Sequence, residues 1–233
     1  MKRSKRYKKV VTEIDRKKNY AIDEGIEKIK NVASVKFDES LEVSLNLGID
    51  PKQSEQLVRG IVSLPYGSGK NVRVLVINRG DKDEEAKRAG ADYVGFEEYI
   101  EKIQSGWLDF DVIVATPDSM SSVSKLGKIL GKRGLMPNPK SGTVTTDIER
   151  TIKEIKSGRI EFRVDKYGIL HASIGKVSFD KEKLVENLLS FVSAVLKLKP
   201  PSAKGQYIKK ISLSSTMGPG VKIDQQELLT RLK

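Results

Sequence analysis

The sequence predicts two domains of different fold class: a split α+β domain built from both chain ends, and a Rossmann-like three-layer α/β domain inserted between them. Apolar strands alternate with helical segments through the middle of the chain, strands with one apolar face lie near both ends, and positive charge concentrates at the ends. A chain of 233 residues is long enough for two modest domains. We place the first domain at 1–67 plus 160–233 and the inserted domain at 68–159.

The middle of the chain has the pattern of a parallel α/β unit. Its strands are short and rich in β-branched residues, as in a sheet covered on both faces. The predicted strands are 72–77, 93–94, 110–115 and a small one at 143–145. The predicted helices are 83–89, 96–104, 119–130 and 147–156, with Asp147 as an N-cap. This alternation indicates a parallel sheet with helices on its faces.

The glycines at the start of this unit favour a hinge over a nucleotide site. The turn at 78–81 has one glycine where a dinucleotide fold needs three. The Gly-Ser-Gly-Lys run at 67–70 precedes the strand, whereas a phosphate-binding loop follows one. Because glycine gives the backbone freedom, we interpret Gly67, Gly69 and, at the return crossing, Arg159 as hinge residues. A nucleotide-dependent enzyme remains the alternative.

Segments from both chain ends supply parts of one α+β domain. The first end offers helices at 5–14 and 21–32 and strands at 41–47, which alternates strictly, and 61–64. The last end offers a hairpin of strands 160–164 and 169–174, a helix capped by Asp180 and ending near Lys197, and a strand at 206–213. The helix has an apolar stripe, formed by Leu184, Leu188, Phe191 and Val195. We therefore predict one antiparallel sheet completed by both ends.

The distribution of charge indicates which domain meets a polyanion. The chain has 43 Lys and Arg against 31 Asp and Glu, a net charge of +12. Residues 1–67 carry +4 and 160–233 carry +6, whereas 68–159 carry +2. Six of the first nine residues are basic, which suits either a solvated tail or attraction of phosphates without base specificity. The alternative for the whole surplus is that it only aids solubility.

Composition excludes several classes of function. The chain has no Cys and a single His, His171, which excludes disulfides and thiolate metal sites and argues against zinc. We interpret His171 as a structural or surface residue because no nucleophile with an orienting partner accompanies it. We expect no catalysis, metal or cofactor. No apolar run has the length of a membrane span or a secretory signal, so we expect a cytoplasmic protein without a membrane partner.

Three short segments are candidates for a functional role, and two of them have residue types that suit contact with nucleic acid. The segment 214–220 combines hydroxyls, one Met and Gly-Pro-Gly, which suits contact with phosphate, sugar or base edges, although an ordinary turn has the same composition. Lys36 beside Phe37 offers a cation and a stacking ring, although Phe is more often a core residue. The basic, Gly- and Pro-rich loop at 131–140 is long enough to be functional or mobile.

Two motifs together closely resemble the bacterial large-subunit ribosomal protein L-one family, which builds the mobile stalk beside the tRNA exit site. They are LGKILGKRGLMPNPK at 126–140 and STMGP at 215–219, and the shorter runs VRG at 58–60, LPYG at 64–67 and KG at 204–205 fit the same pattern. The resemblance implies the same split architecture. It also implies that the end-derived domain binds stalk ribosomal RNA and its own operon mRNA, repressing translation, and that the stalk contacts and helps release deacylated tRNA.

The resemblance also implies site residues. Family RNA-contact positions match Phe37, Thr216, Met217 and Gly218 in type; weaker matches are Glu27, Lys36, Ser40, where relatives carry Thr, and Lys166. We expect a monomer when free, and we assign no role to the tail at 224–233, in which 227–229 suits a short helix. A DNA-binding regulator is the remaining alternative, although no helix-turn-helix or zinc signature supports it.

Overall fold

The computed structural model describes residues 4–80 and 82–232. Parts of the predictions above therefore concern positions outside the described residues, namely Lys2, Arg3, Asp81 and Lys233. The chain divides into two compact units. The split unit combines Met1–Gly69 with Gly158–Lys233, and the inserted unit is Lys70–Ser157.

Each crossing between the units lies two residues from the predicted boundary, because glycines there pack into the split unit. Gly69 has φ +69°, and a Cβ on it would lie 2.6 Å from Cγ of Lys176. Gly158 has φ +105°, and a Cβ on it would lie 2.2 Å from Cα of Gly67. The two crossing segments therefore lie side by side within the split unit.

The first chain segment forms two helices and three strands of the split unit. They are α1 (Lys5–Thr12), β1 (Asn19–Tyr20), α2 (Ile22–Val32), β2 (Ser40–Leu47) and β3 (Arg59–Ser63). Ser4 caps α1, since its Oγ accepts a hydrogen bond from the backbone N–H of Tyr7 at 3.2 Å. The strict alternation predicted for β2 is observed as alternating buried and more exposed side chains.

The inserted unit is a three-layer α/β structure around a parallel sheet, in agreement with the predicted class. Its elements are β4 (Val74–Ile77), α3 (Asp83–Arg88), β5 (Tyr93–Gly95), α4 (Glu97–Gln104), β6 (Val112–Ala115), α5 (Met120–Val123), α6 (Gly127–Leu130) and α7 (Ile148–Lys156). The strand order is β5-β4-β6. Each face of β4 packs into its own apolar cluster, with Leu75 and Ile77 on one side and Val74 and Val76 on the other. Asp147 caps α7 as predicted, accepting from the backbone N–H of Arg150 at 3.2 Å.

The single helix predicted at 119–130 is wrong: this stretch is broken into short α and 3₁₀ turns, and α5 and α6 are its α-helical pieces. Glycine at 127 and 131 weakens helix formation, and Ser124 Oγ bonds back to the carbonyl of Met120 at 2.7 Å. The apolar side chains Val123, Leu126 and Leu130 are nevertheless buried. The amphipathic spacing therefore survives although the continuous helix does not.

The last chain segment completes the split unit. It forms β7 (Arg159–Arg163), β8 (Ile169–Lys176), α8 (Lys181–Lys197), β9 (Ile208–Ser215), β10 (Val221–Ile223) and α9 (Gln225–Arg231). The five-stranded sheet has the order β1-β10-β9-β2-β8, so β2 from the first end lies between two strands of the last end. This interleaving confirms the split α+β class. None of the helices in the described part of the chain is long and apolar enough to cross a membrane.

The predicted hairpin at 160–174 is wrong in its pairing. Its turn exists, with Gly168 at φ +77° and the N–H of Asp165 donating to the carbonyl of Ile169 at 2.9 Å. Beyond the turn, however, β7 pairs with β3 and β8 pairs with β2. Phe162 of β7 stacks edge-on against Phe191 of α8, with ring centroids 5.2 Å apart. Burial against α8 thus draws β7 into a separate two-stranded sheet.

The predicted stripe of α8 is confirmed, and Asp180 occupies the predicted N-cap position without a capping bond from its side chain. All four stripe residues are fully buried. The Asp180 side chain makes no capping bond and instead pairs with Lys183 at 2.7 Å. The other face of the five-stranded sheet is more exposed, and His171 lies there with its Nδ1 3.0 Å from Oγ of Ser44.

The tail from Asp224 onward, to which the sequence assigned no role, forms the helix α9 and packs into the split unit. Leu228 of α9 is fully buried, and Asp224 caps the helix through a bond from the N–H of Gln226 at 2.9 Å. Glu227 accepts from the backbone N–H of Ile22 at 3.2 Å, at the start of α2. The α9 helix therefore satisfies a free donor of α2.

Candidate nucleic-acid interface

The turn at 216–218, between β9 and β10, is fixed by the segment that leads into β2. The N–H of Thr216 donates to the carbonyl of Ser40 at 3.1 Å, and the N–H of Ser40 donates to Oγ1 of Thr216 at 3.0 Å. The N–H of Gly218 closes the turn on the carbonyl of Ser215 at 3.1 Å. Ser40 therefore positions Thr216, and its Oγ accepts from Lys176 at 3.0 Å.

Met217 is held by its backbone on both sides while its side chain faces solvent. Its N–H donates to Oε2 of Glu39 at 2.8 Å, and its carbonyl accepts from Nη2 of Arg6 at 2.8 Å. Glu39 is 2% exposed, whereas Met217 is 47% exposed. An apolar side chain displayed on a fixed backbone loses little conformational freedom when a partner covers it, which favours binding.

Phe37 lies on the same segment as the residues that hold the turn. It is 55% exposed, although Phe is normally a core residue. Lys36 beside it is also exposed. Asp38 fixes the segment from the other side, accepting from the hydroxyl of Ser178 at 2.7 Å. The structure thus presents an aromatic ring and a cation on a segment that is bonded directly to the Met217 turn.

Packing inside the protein requires glycine at position 218. A Cβ at Gly218 would lie 2.4 Å from the buried Oγ of Ser215. A larger residue would therefore disturb the turn whether or not a ligand approaches it. Gly218 matches an RNA-contact position by resemblance, and the structure adds a packing requirement at the same residue.

Of the weaker sequence candidates, Lys166 lies apart from the turn, and Glu27 lies on α2 beside Lys181. Lys166 follows Asp165 in the β7–β8 turn, at the end of β2 opposite Ser40; eight strand residues separate the two ends by about 20 Å. Its ammonium lies 5.2 Å from the ring of Tyr167. Glu27 is an exposed residue of α2 whose Oε2 lies 3.4 Å from Nζ of Lys181.

Sequence reasoning assigned no site role to Arg6 or Glu39. One signal pointed to Glu39: it has the same parity as Leu41 and Val43, the buried side of the β2 alternation, where a carboxylate needs a partner. Arg6 gave no such signal, because its contact lies 211 residues away along the chain.

At the crossings, the structure places the hinge candidates among close backbone contacts. Gly67 has φ +68°, and its carbonyl accepts from Nδ2 of Asn187 at 3.0 Å. Arg159 is paired with Ser63 in the β3–β7 ladder, and the neighbouring Gly158, which sequence reasoning missed, has the positive φ. In the inserted unit, the ammonium of Lys70 pairs with Asp111 at 2.7 Å.

The basic loop at 131–140 of the inserted unit is locally ordered. Leu135 donates to the carbonyl of Leu130 at 3.0 Å, and the side chain of Asn138 accepts from the N–H of Lys140 at 2.8 Å. Among residues 4–80 and 82–232, no cluster of three His, Asp or Glu side chains is arranged to hold a metal ion.

The comparisons with known proteins agree on one family. The model of the "Ribosomal protein L1p/L10e family" matches residues 29–219. The chain is similar to the large ribosomal subunit protein uL1 of Thermobifida fusca, at 55% identity over 96% of this chain and 95% of the relative. The protein of the same name in Kosmotoga olearia is 56% identical over 98% of this chain and 99% of the relative. The one in Chlorobaculum tepidum is 54% identical over 97% of each chain.

Proposed function

This chain belongs to the ribosomal protein L1p/L10e family and is a structural constituent of the large ribosomal subunit, in which we propose that its split unit holds ribosomal RNA at the Thr216–Gly218 turn. Its relatives are structural proteins of the ribosome, and the chain is not an enzyme. As a component of the ribosome it is a cytoplasmic protein.

The observation that carries the proposal is the exposed Met217 side chain on a backbone bonded at both its N–H and its carbonyl. Folded RNA is recognised by shape, stacking and contacts to 2′-hydroxyls. Met217 supplies an apolar contact, Phe37 a stacking face and Lys36 a phosphate partner. The backbone bonds of Thr216 and Gly218 fix the turn that presents Met217, and Ser40 positions Thr216 by hydrogen bonds. Glu27 and Lys166 are weaker candidates for RNA contact in this proposal.

The test is a titration of a large-subunit ribosomal RNA fragment at fixed salt. We expect Met217→Asp to weaken binding by about 1–3 kcal/mol, roughly 5- to 150-fold, with an unchanged melting temperature. Leu57→Asp is the matched control, since Leu57 is a similarly exposed apolar residue of the split unit. Equal affinities of Met217→Asp and the wild type would refute the site.

We propose that the same surface binds the chain's own operon mRNA and thereby represses translation. A surface that reads RNA by shape accepts any RNA that presents the same fold. The messenger leader should therefore compete with the ribosomal fragment, and Met217→Asp should weaken both. Messenger binding that survives Met217→Asp would contradict a shared surface.

We propose further that the inserted unit moves on the crossing segments and that this movement assists release of deacylated tRNA. The support is the positive φ of Gly67 and Gly69, which side chains other than glycine rarely adopt. Gly67→Ala and Gly69→Ala should slow tRNA release from reconstituted ribosomes. Gly90→Ala, at an open turn of φ +94° inside the inserted unit, is the control for backbone strain alone.

A monomeric free chain is part of the same proposal, because the RNA-facing surface needs no second copy. Sedimentation of the free protein at micromolar concentration should give a single species with the mass of one chain, 25.9 kDa. A concentration-dependent dimer would contradict this.

A further inference from the structure

A basic groove runs between α1 and the end of α2. Its volume is about 550 Å³. The polar and charged side chains along it are Lys5, Arg6, Lys9, Glu13, Asn31 and Ser34. Three cations face one acid, and the amide and hydroxyl add neutral hydrogen-bonding groups, which together suit an anionic partner.

The spacing of the basic residues along α1 explains why their side chains face the groove. Lys5 and Lys9 are four residues apart on α1 and therefore share a helix face with each other, next to Arg6. Val10 and Val32, which are both buried, line the base of the groove. Lys8 does not line the groove and is exposed elsewhere on the same helix. The basic start of the chain is thus divided between a groove and open solvent.

Arg6 connects this groove to the Met217 turn. Its Nη2 donates to the carbonyl of Met217 at 2.8 Å. A guanidinium has five N–H donors, so this bond leaves donors for a second acceptor. On the opposite wall, Ser34 lies two residues before Lys36 and three before Phe37. The groove is therefore continuous with the turn through Arg6 and with the stacking segment through the chain.

We propose that the groove between α1 and α2 binds backbone phosphates of the same RNA that contacts the Thr216–Gly218 turn. The inference rests on the function proposed above. It gives the basic start of the chain a defined binding geometry: Lys5, Arg6 and Lys9 contact successive phosphates, and Asn31 and Ser34 face the sugars or phosphates between them. Glu13 marks the end of the groove where the RNA leaves it.

Matched double variants test the groove against general charge. We expect Lys5→Ala/Lys9→Ala to weaken ribosomal RNA binding about tenfold near 0.1 M salt and to flatten the slope of log affinity against log salt by about 1.4 to 1.8. Lys8→Ala/Lys17→Ala removes the same charge from exposed positions outside the groove and should change affinity about twofold or less. Equal losses in the two double variants would overturn the proposal.

A tethered cleavage probe gives an independent readout. Because the chain has no Cys, Ser34→Cys supplies a single attachment point for an iron–EDTA group. We expect cleavage of the RNA backbone beside the nucleotides that Met217 protects, and only weak cleavage from the same probe at Lys8→Cys. An uncut RNA with the Ser34 probe, bound at wild-type affinity, would place the RNA outside the groove.

The two proposals fail in different ways. If Met217→Asp binds RNA as the wild type does, the proposed interface at the turn is wrong. If Met217→Asp weakens binding while the Lys5/Lys9 and Lys8/Lys17 variants behave alike, the turn stands and the groove is wrong. An acidic peptide that displaces no RNA but binds in a Lys5- and Lys9-dependent way would also overturn the assignment to RNA.

Discussion

The two units differ more in charge than in size. The split unit has 28 Lys and Arg against 17 Asp and Glu, a net charge of +11, whereas the inserted unit has 15 against 14, a net charge of +1. The inserted unit buries its sheet on both faces, and the split unit leaves one sheet face more exposed and holds Met217 out to solvent. A polyanion is therefore attracted by one unit, which also contains the fixed turn proposed to recognise it.

Separating the two units tests this comparison most severely. Gly67 and Gly158 touch within the split unit, so a short Gly-Ser linker in place of 70–157 should connect the two halves without strain. We expect this shortened chain to bind ribosomal RNA within about threefold of the full chain, and residues 70–157 alone to lose specific binding at least 100-fold. Fluorescence titration checks both. Binding that needs both units would contradict the division of roles.

Carboxylates that accept a hydrogen bond from a backbone N–H allow a sharper comparison, because both units contain such a pair at the same distance. Glu39 accepts from Met217 N–H at 2.8 Å in the split unit, and Asp92 accepts from Val74 N–H at 2.8 Å in the inserted unit. Removing either leaves a backbone donor unsatisfied, at a cost of about 1–3 kcal/mol in stability. We expect Glu39→Ala to weaken RNA binding about tenfold as well, and Asp92→Ala to leave it unchanged.

The variant Glu39→Gln separates the effect of the acceptor oxygen at position 39 from the effect of its negative charge. Glu39→Gln keeps an acceptor oxygen at the same place, so we expect it to restore most of the binding that Glu39→Ala loses. Calorimetry gives stability and the RNA titration gives affinity on the same samples. RNA binding reduced equally by Glu39→Ala and Asp92→Ala would mean that the effect reflects general destabilisation and not the turn.

Local patterns predicted the parts of the fold that local physics decides. The alternation along β2, the N-cap at Asp147 and the stripe of α8 all follow from spacing and propensity over a few residues. The partner of β7 did not, because burial of Phe162 against Phe191 decides it from a distance along the chain. The same limit explains the site: the segments at 36–40 and 216–218 were identified separately, and the Arg6–Met217 bond that joins them to α1 spans 211 positions.

A buried tyrosine in the split unit predicts instability in alkali. Burial raises the pKa of Tyr207 to about 12 from 10.0, and its hydroxyl has no hydrogen-bond partner among the described residues. Below pH 10 the Tyr207 hydroxyl is neutral in both the folded and the unfolded state. Above pH 10 the unfolded chain ionises first, so the stability of the fold falls between pH 10 and 12, by about 3 kcal/mol in all. Tyr207→Phe should lose this dependence and be at least as stable at pH 7, as measured by urea unfolding. An unchanged alkaline slope in the variant would contradict the assignment.

The smallest expected effect lies in the inserted unit and has the opposite pH dependence. Burial alone would raise the pKa of Asp92, but the bonds from Val74 N–H and from Lys156 at 2.9 Å outweigh it, and the pKa is lowered. The folded state therefore prefers the carboxylate, and the resulting stability is present above the unfolded pKa of about 3.9 and is lost as the pH falls through the folded value. Because 35% of the Asp92 side chain is exposed, water weakens its pair with Lys156, and the pair contributes less than about 1 kcal/mol to stability.

The variant Lys156→Met tests this contribution. It removes the pair but leaves the bond from Val74 N–H, and it should reduce the acid dependence of the melting temperature without changing RNA affinity. A loss of RNA binding in Lys156→Met would mean that the inserted unit contributes to the interface, and the division between the units would have to be abandoned.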